Sequence, residues 1–113
     1  MKEIKAIIKP AMLGSVLSAL GRIDGLPGIT ISEVKGFGKT RERPLKSESP
    51  DEIIEHDDKT KLEIVVPDEL AEIAVKAIQE NARTGGKGDG KIFVSEILDV
   101  VKIRTGERGR GAI

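Results

Sequence analysis

The chain of 113 residues contains no cysteine, tryptophan or tyrosine, and it has one histidine and two phenylalanines. The absence of cysteine excludes disulfides, thiolate catalysis and cysteine-type zinc sites, and it fits a reducing compartment. We therefore expect a cytoplasmic protein. With so few aromatic rings, the chain also has little surface on which nucleic-acid bases could stack.

Net charge and long apolar runs are lacking too. Lysine plus arginine and aspartate plus glutamate both number 19, so no net field concentrates nucleic acid or an anionic membrane around the chain. The opening residues alternate charged and apolar side chains, and no membrane-length apolar run is found. We expect no nucleic-acid partner and no membrane insertion. The length fits one domain over residues 1–113, which would gain burial by oligomerising.

Glycine, by contrast, is concentrated in one short stretch, residues 83–91. Its glycines precede Lys91, and a backbone of this composition can turn its N–H groups toward an anion. They are Gly85, Gly86, Gly88 and Gly90. The run matches most of a P-loop, but Ile92 stands where serine or threonine is required, and a β-like segment follows instead of a helix. Glycine content alone leaves two interpretations open, a phosphate cradle and a simple hairpin connection.

Apolar spacing predicts elements in the order strand, helix, strand, strand, helix, strand. The predicted strands cover residues 2–9, 29–37, 61–66 and 91–98, and residues 100–103 add a short extended segment. The helices follow Pro10 and Pro67, and Asp68 can cap the second of them. This order predicts an α+β, ferredoxin-like βαββαβ fold with an antiparallel sheet.

The predicted sheet has apolar residues on both faces. The first strand carries them on either side, which is typical of a central strand. Two helices can cover only one face, yet Ile7, Val65 and Phe93 offer apolar side chains to the other. An uncovered apolar face needs a partner, so we predict a closed homo-oligomer.

A polar loop from residue 38 to residue 59 interrupts the pattern. Its first half is basic and its second half acidic. A loop of about 20 residues within a compact domain is usually functional or disordered, so a solvated linker is the alternative to a binding segment. We expect the partner-binding residues of this loop to include Arg41, Arg43, Lys46 and Glu52.

The same loop holds His56 among acidic neighbours. A solvated histidine is the simpler interpretation, and no nucleophile or base pair elsewhere predicts catalysis, so we do not expect an enzyme. The alternative function is a small metal-binding or metal-tolerance protein that uses His56 and the carboxylates around it.

Two further cations fit the phosphate interpretation of the glycine stretch. Lys102 and Arg104 are two residues apart, so an extended segment would place both on one face. Together with Lys91 and the glycine loop they could hold a polyphosphate.

Over nearly its whole length the sequence resembles the PII signal-transduction proteins. The motifs that carry the resemblance lie in residues 1–10 (MKxIxAIIKP), 34–38 (VKGFG), 59–66 (KxKxEIVV), 84–94 (TGxxGDGKIFV), 103–107 (IRTGE) and 112–113. The resemblance implies a homotrimer of ferredoxin-like subunits that binds ATP or ADP in clefts between subunits. It also implies signalling to a transporter, an enzyme or another regulated component through a T-loop, here residues 38–59.

The resemblance also implies a set of nucleotide-binding residues. The B-loop would be residues 83–91 and the C-terminal loop residues 99–113. Residues around the nucleotide would be Ile7, Gly36, Gly38, Glu63 and Val65, and its phosphates would meet Gly88, Gly90, Lys91, Lys102 and Arg104. Lys102 stands where the family usually has arginine, which keeps the charge but loses bidentate geometry.

The T-loop departs from the family pattern at two positions. Thr40 replaces the glutamine that helps bind magnesium and 2-oxoglutarate, and Glu52 replaces the tyrosine that is uridylylated. We therefore expect no strong binding of 2-oxoglutarate, and a role for magnesium stays open. The opening residues and the turn Gly25–Gly28 resemble a divergent subgroup encoded beside heavy-metal efflux systems.

Overall fold

A computed structural model describes residues 1–37 and 57–113. The strands are β1 (Lys2–Ile8), β2 (Thr30–Gly36), β3 (Asp57–Val66) and β4 (Gly90–Glu96), and the helices are α1 (Leu13–Leu20) and α2 (Asp68–Ala82). Short 3₁₀ turns at Pro10–Met12 and Arg110–Ala112 complete the regular structure of this part of the chain.

The four strands form one antiparallel sheet in the order β2-β3-β1-β4. Strand β1 is hydrogen-bonded on both edges, as its apolar residues on both faces predict. The order of helices and strands is βαββαβ, which confirms the predicted ferredoxin-like fold.

The apolar core lies between the helices and one face of the sheet. Alternate residues of β1 point into it, since successive side chains of a strand face opposite sides. Helix α1 adds Val16 and Leu20, and α2 adds Ala74 and Ile78, which lie on the predicted apolar stripes. The fully buried large side chains are Ile4, Ile8, Val16, Leu20, Leu62, Ile64, Val66 and Ile78.

The opposite face of the sheet is left open by the helices. The register places Lys5, Glu63 and Phe93 in one row across β1, β3 and β4 on this face. Phe93 is 52% exposed, a large share for an aromatic side chain in a sheet. Among the described residues, this face is thus left uncovered, and it carries the predicted apolar residues Ile7, Val65 and Phe93 among charged neighbours.

Strand β3 begins earlier than the sequence predicts. The prediction extends the loop through Lys59 and starts the strand at Lys61, whereas the strand begins at Asp57. Asp57 to Lys59 are polar, but they continue the backbone ladder to the end of β2, with Asp57 opposite Gly36. An ion pair between Lys35 Nζ and Asp58 Oδ1 at 3.2 Å accompanies this pairing. Strand pairing rather than apolar alternation thus decides this boundary.

The C-terminal segment is a hairpin, so the predicted extended run over residues 100–103 is wrong. Val101 is bridged to Arg108, and the Lys102 N–H donates to the Glu107 carbonyl oxygen at 2.8 Å. The Gly106 N–H donates in turn to the Lys102 carbonyl oxygen, and Gly106 has a φ of +75°, which glycine adopts readily. The chain therefore reverses where the apolar spacing suggests continuation.

Asp68 does not cap α2 with its side chain, contrary to prediction. The N-cap position is Pro67, and no side-chain cap hydrogen bond is formed there. Instead, Asp68 Oδ1 accepts a hydrogen bond from the Met1 ammonium group at 2.9 Å. This contact lowers the pKa of Asp68, first through the hydrogen bond and then through the charge of the ammonium group. The carboxylate thus joins the start of β1 to the start of α2.

We expect Ile78→Ala to destabilise the fold by about 2–5 kcal/mol, because truncating a fully buried side chain leaves a cavity. Ile73→Ala on the same helix is the matched control, since Ile73 is 54% exposed and its truncation should cost less than about 1 kcal/mol. Urea unfolding of both variants at one protein concentration measures the difference. Equal losses would contradict the described packing of α2.

Candidate functional site

The glycine loop joins α2 to β4 at the end of the sheet where β1 finishes. Gly90, the first residue of β4, lies opposite Ile8, the last residue of β1. Gly85, Gly88 and Gly90 have φ values of +88°, +91° and +100°. A side chain would be strained at each of these positions. The loop leads directly into a strand, so it lacks the helix N-terminus that a P-loop requires.

Gly90 is required by space as well as by backbone conformation. A Cβ atom built on it would lie 1.6 Å from the carbonyl oxygen of Ile7 and 2.8 Å from the carbonyl carbon. Both atoms belong to the backbone of the central strand and cannot turn aside. A side chain at residue 90 would therefore push β4 away from β1, at the point where the loop enters the sheet.

Asp89 connects the two ends of the glycine loop. Its Oδ2 accepts hydrogen bonds from the backbone N–H groups of Thr84 and Gly85, each at 2.9 Å. Its Oδ1 accepts the Thr84 hydroxyl at 2.5 Å and lies 3.1 Å from Lys9 Nζ. The hydrogen bonds from Thr84 are the main reason why the pKa of Asp89 is well below the usual range, and Lys9 contributes as well. The carboxylate therefore stays ionised within the loop.

Two lysines from neighbouring strands hold the same loop. Lys9, which follows β1, donates through Nζ to the Thr84 hydroxyl oxygen at 3.0 Å. Lys59 of β3 donates through Nζ to the Gly88 carbonyl oxygen at 2.7 Å. The sequence predicts neither contact. The signal that could reveal them is the register, because Ile8 pairs with both Thr60 and Gly90, so the residues just beyond lie together.

The open sheet face gathers several of the predicted nucleotide-binding residues. Ile7 lies opposite both Lys61 and Lys91, which places the apolar side chain beside the lysine that follows the loop. Glu63 lies one row further along and Val65 one row beyond it, and Glu63 Oε1 is 3.3 Å from Lys61 Nζ.

Other predicted residues lie at the loop end of the sheet or outside the described residues. Gly36 ends β2 on the same open face, opposite Asp57. Gly88 and Gly90 are in the loop itself. Gly38 lies outside the described residues.

Lys102 and Arg104 are not brought to the glycine loop within one chain. Both lie at the tip of the hairpin, whose base is held by an Arg108–Asp99 ion pair at 2.7 Å and an Arg110–Glu69 ion pair. That base is at the far end of β4 and the start of α2, about 20 Å along the sheet from the loop.

The two tip cations differ in their surroundings. Lys102 Nζ lies 3.7 Å from Glu107 Oε2, whereas the Arg104 side chain has no hydrogen bond or ion pair within the described part of the chain.

A cavity of about 280 Å³ lies behind the loop, between the last turn of α2 and the start of β4. Its floor is apolar, and Arg83, Asp89 and Lys91 contribute the charged groups. Among the described residues, the lining consists of Ile7, Ile8, Ile78, Gln79, Ala82, Arg83, Asp89, Gly90, Lys91 and Ile92. Arg83, at the start of the loop, and Lys91, at its end, therefore both contribute cationic groups to the lining of this cavity.

The predicted T-loop residues lie outside the described residues. These are Thr40, Arg41, Arg43, Lys46, Glu52 and His56. Residues 1–37 and 57–113 contain no group of three or more His, Cys, Asp or Glu side chains that could hold a metal ion. No helix in these two ranges is long and apolar enough to cross a membrane. His56, on which the metal-binding alternative depends, lies outside the residues to which this observation applies.

Comparison with known proteins decides the family. The model of the family described as nitrogen regulatory protein P-II matches residues 1–107. Two proteins named nitrogen regulatory protein P-II, from Rhodospirillum rubrum and Azospirillum brasilense, are 48% and 46% identical to the chain over 113 residues. One of that name from Haemophilus influenzae is 44% identical, and all three alignments cover both proteins completely. The chain belongs to the P-II family. P-II proteins are signalling proteins and not enzymes, which agrees with the prediction from the sequence.

The comparisons do not confirm membership of the divergent subgroup associated with heavy-metal efflux. The three relatives named above are all called nitrogen regulatory protein P-II, and each aligns with this P-II chain over its full length. The subgroup prediction rests on the opening residues and on the turn at Gly25–Gly28, and these short stretches carry less information than the whole alignment.

We expect Gly90→Ala to lower the unfolding temperature far more than Gly85→Ala. Both positions have positive φ, so each variant carries backbone strain of about 1–2 kcal/mol. A Cβ at Gly85 meets nothing within 4 Å, whereas one at Gly90 meets the Ile7 carbonyl oxygen. Thermal unfolding followed by circular dichroism compares them, and failure of only the Gly90 variant to fold would also support the clash. Similar behaviour of the two variants would contradict the close approach of β4 to β1.

Proposed function

We propose that this P-II protein binds ATP or ADP in clefts between the subunits of a homotrimer. We further propose that it regulates a partner protein through residues 38–59. The family match and the names of the full-length relatives support a signalling role. The homotrimeric assembly, the binding of a nucleotide and the regulation of a partner are proposed from the family resemblance and from the positions of the charged residues in the fold.

The observation that carries the proposal is the separation of the cationic groups. The glycine loop and Lys91 lie at one end of the sheet, and the hairpin that holds Arg104 is rooted at the other, about 20 Å away. One chain thus presents two separate halves of an anion site. A second copy could bring its hairpin to the glycine loop of the first, so that the cleft between subunits would hold the complete site.

The chemistry of the two halves suits an adenine nucleotide. On the open face, Ile7 and Val65 offer apolar contact for a base, and the Glu63 carboxylate can accept hydrogen bonds from an amino group. Lys91 has no side-chain partner within the described ranges, and neither does Arg104. Both cations are therefore available to a polyphosphate without first breaking an ion pair.

The output of this binding would be a protein contact rather than a reaction. We propose that Arg41, Arg43, Lys46 and Glu52 contact the regulated partner, which would be a transporter, an enzyme or an efflux-related component. The P-II protein itself would act in the cytoplasm. Three of these residues are basic and one is acidic, which provides charge complementarity with a partner surface of mixed sign. Bound nucleotide would change the partner affinity by favouring one arrangement of this loop.

The assembly can be tested by light scattering. The parent protein should have three times the 12.2 kDa mass of the chain. Phe93→Asp should give a monomer, because it replaces an exposed aromatic side chain on the open face with a charge whose burial between subunits is costly. Ile73→Asp is the matched control, since Ile73 is as exposed as Phe93, 54% against 52%, but lies on α2. A monomeric parent, or a trimeric Phe93→Asp variant, would contradict assembly through the open face.

The phosphate contacts can be tested by calorimetry with ATP. Arg104→Ala should weaken binding about ten- to hundredfold, because a hydrogen bond to a charged group is worth about 1.5–3 kcal/mol. Lys91→Ala should have a similar effect, since the glycine loop fixes its position. Lys102→Ala should cost about tenfold or less, because its ammonium group already lies 3.7 Å from Glu107.

Arg22→Ala is the control for this series, since it removes an exposed arginine at the end of α1. All variants are compared at one ionic strength and after confirming the trimer. If all three site variants bound ATP as tightly as the parent, the proposed phosphate site would be wrong, and the glycine stretch would only connect α2 to β4. Titration of the parent with ADP, AMP, 2-oxoglutarate and divalent metal alone then separates the nucleotide function from the metal alternative.

A further inference from the structure

Asp89 places a negative charge inside a loop that we propose to receive phosphates. A carboxylate would repel a polyphosphate, so its presence needs a reason other than ligand binding. Its two oxygens face four donors, two on each oxygen: the Thr84 and Gly85 N–H groups on Oδ2, and the Thr84 hydroxyl and Lys9 ammonium groups on Oδ1. Four donors fill the lone-pair positions of a carboxylate. The group is therefore turned inward and satisfied by the protein.

We propose that Asp89 is a positioning residue, which shapes the glycine loop for phosphates without touching the nucleotide. This inference rests on the proposed function and adds a residue that the predicted site does not include. By holding the N–H groups of Thr84 and Gly85 to itself, Asp89 closes the first half of the loop onto its last residues. The second half, which contains Gly88 and leads to Lys91, is left to face the ligand.

Other contacts restrain the rest of the loop. The Gly86 N–H donates to the Thr84 hydroxyl oxygen at 3.2 Å, and Lys59 holds the Gly88 carbonyl oxygen. Lys9 contacts both Thr84 and Asp89, so removing the carboxylate would also leave Lys9 with one partner fewer. Asp89 thus joins the start of the loop, its end and the neighbouring strand end in one arrangement. The same hydrogen bonds, those from Thr84 first, hold the pKa of Asp89 well below its usual range, so the carboxylate is ionised at neutral pH.

The variants Asp89→Ala and Asp89→Asn remove different parts of this arrangement. Alanine removes all the acceptors. Asparagine can keep its single oxygen toward the Thr84 and Gly85 N–H groups while its NH₂ group faces Lys9, which cannot accept, and the Thr84 hydroxyl. That hydroxyl already accepts from Lys9 and from the Gly86 N–H, so it can accept from the NH₂ group only by losing one of these two donors. Asparagine should therefore rescue much of the loop geometry and lose the ion pair. Asp68→Asn is the matched control, because Asp68 also pairs with an ammonium group but lies at the opposite end of the sheet.

The first experiment needs no nucleotide. Hydrogen exchange of the Thr84 and Gly85 amides is measured by NMR in the parent and in each variant, after confirming the same oligomeric state. We expect about tenfold or faster exchange of these two amides in Asp89→Ala, a smaller change in Asp89→Asn, and none in Asp68→Asn. Unchanged exchange in Asp89→Ala would overturn the assignment of Asp89 as the residue that shapes the loop.

The second experiment compares ATP, ADP, AMP and adenosine by calorimetry. We expect Asp89→Ala to lose about tenfold or more in ATP affinity, less for ADP and AMP, and almost nothing for adenosine, with Asp89→Asn between it and the parent. An equal loss for all four ligands would show a general structural role and overturn the inference, as would unchanged ATP affinity. If the parent bound no nucleotide, both the proposed function and this inference would be wrong. If the parent bound ATP and Asp89→Ala bound it equally tightly, only this inference would be wrong.

Discussion

Strand β1 is the constraint on which the rest of the molecule depends, because it is hydrogen-bonded on both edges and places apolar side chains in the core and Ile7 on the open face. Its residues Ile4, Ala6 and Ile8 lie in the core beneath the helices, and its odd-numbered residues lie on the open face. One strand thereby fixes the core, the surface left for other copies, and the row in which Ile7 meets Lys91. Its last carbonyl groups also pass so close to Gly90 that no side chain fits there.

Most of the fold is predictable from apolar spacing, and the errors lie where spacing carries no information. The stripes of α1 and α2 and the strand order follow from burial, which apolar residues report directly. The start of β3 at Asp57 does not, because its first residues are polar and are ordered by backbone pairing to β2. The hairpin after β4 is missed for the opposite reason, since apolar Val101 suggests continuation while Gly106 permits reversal.

The candidate site is predictable in part. The glycine composition locates the loop, and strand alternation places Ile7, Glu63 and Lys91 on one face. The spacing of Lys102 and Arg104 cannot show that their hairpin is rooted at the other end of the sheet. Two residues that are two positions apart can be predicted to share a face, but this spacing does not say where in the fold the segment lies. Lys9, Lys59 and Asp89 look like solvated charges at strand ends, and only the register between strands brings them together.

Ion pairs and apolar burial stabilise different parts of this structure. At the end of the sheet away from the glycine loop, exposed ion pairs join Met1 to Asp68, Lys2 to Glu96 and Arg108 to Asp99. At the opposite end, lysine ammonium groups hold the glycine loop. The core between the helices and the sheet is apolar. Counter-ions shield surface charges within about 10 Å at moderate salt, whereas apolar burial is little affected. Added salt would therefore loosen the two ends and leave the centre intact, so ionic strength acts on the shape of the binding surfaces and not on the fold.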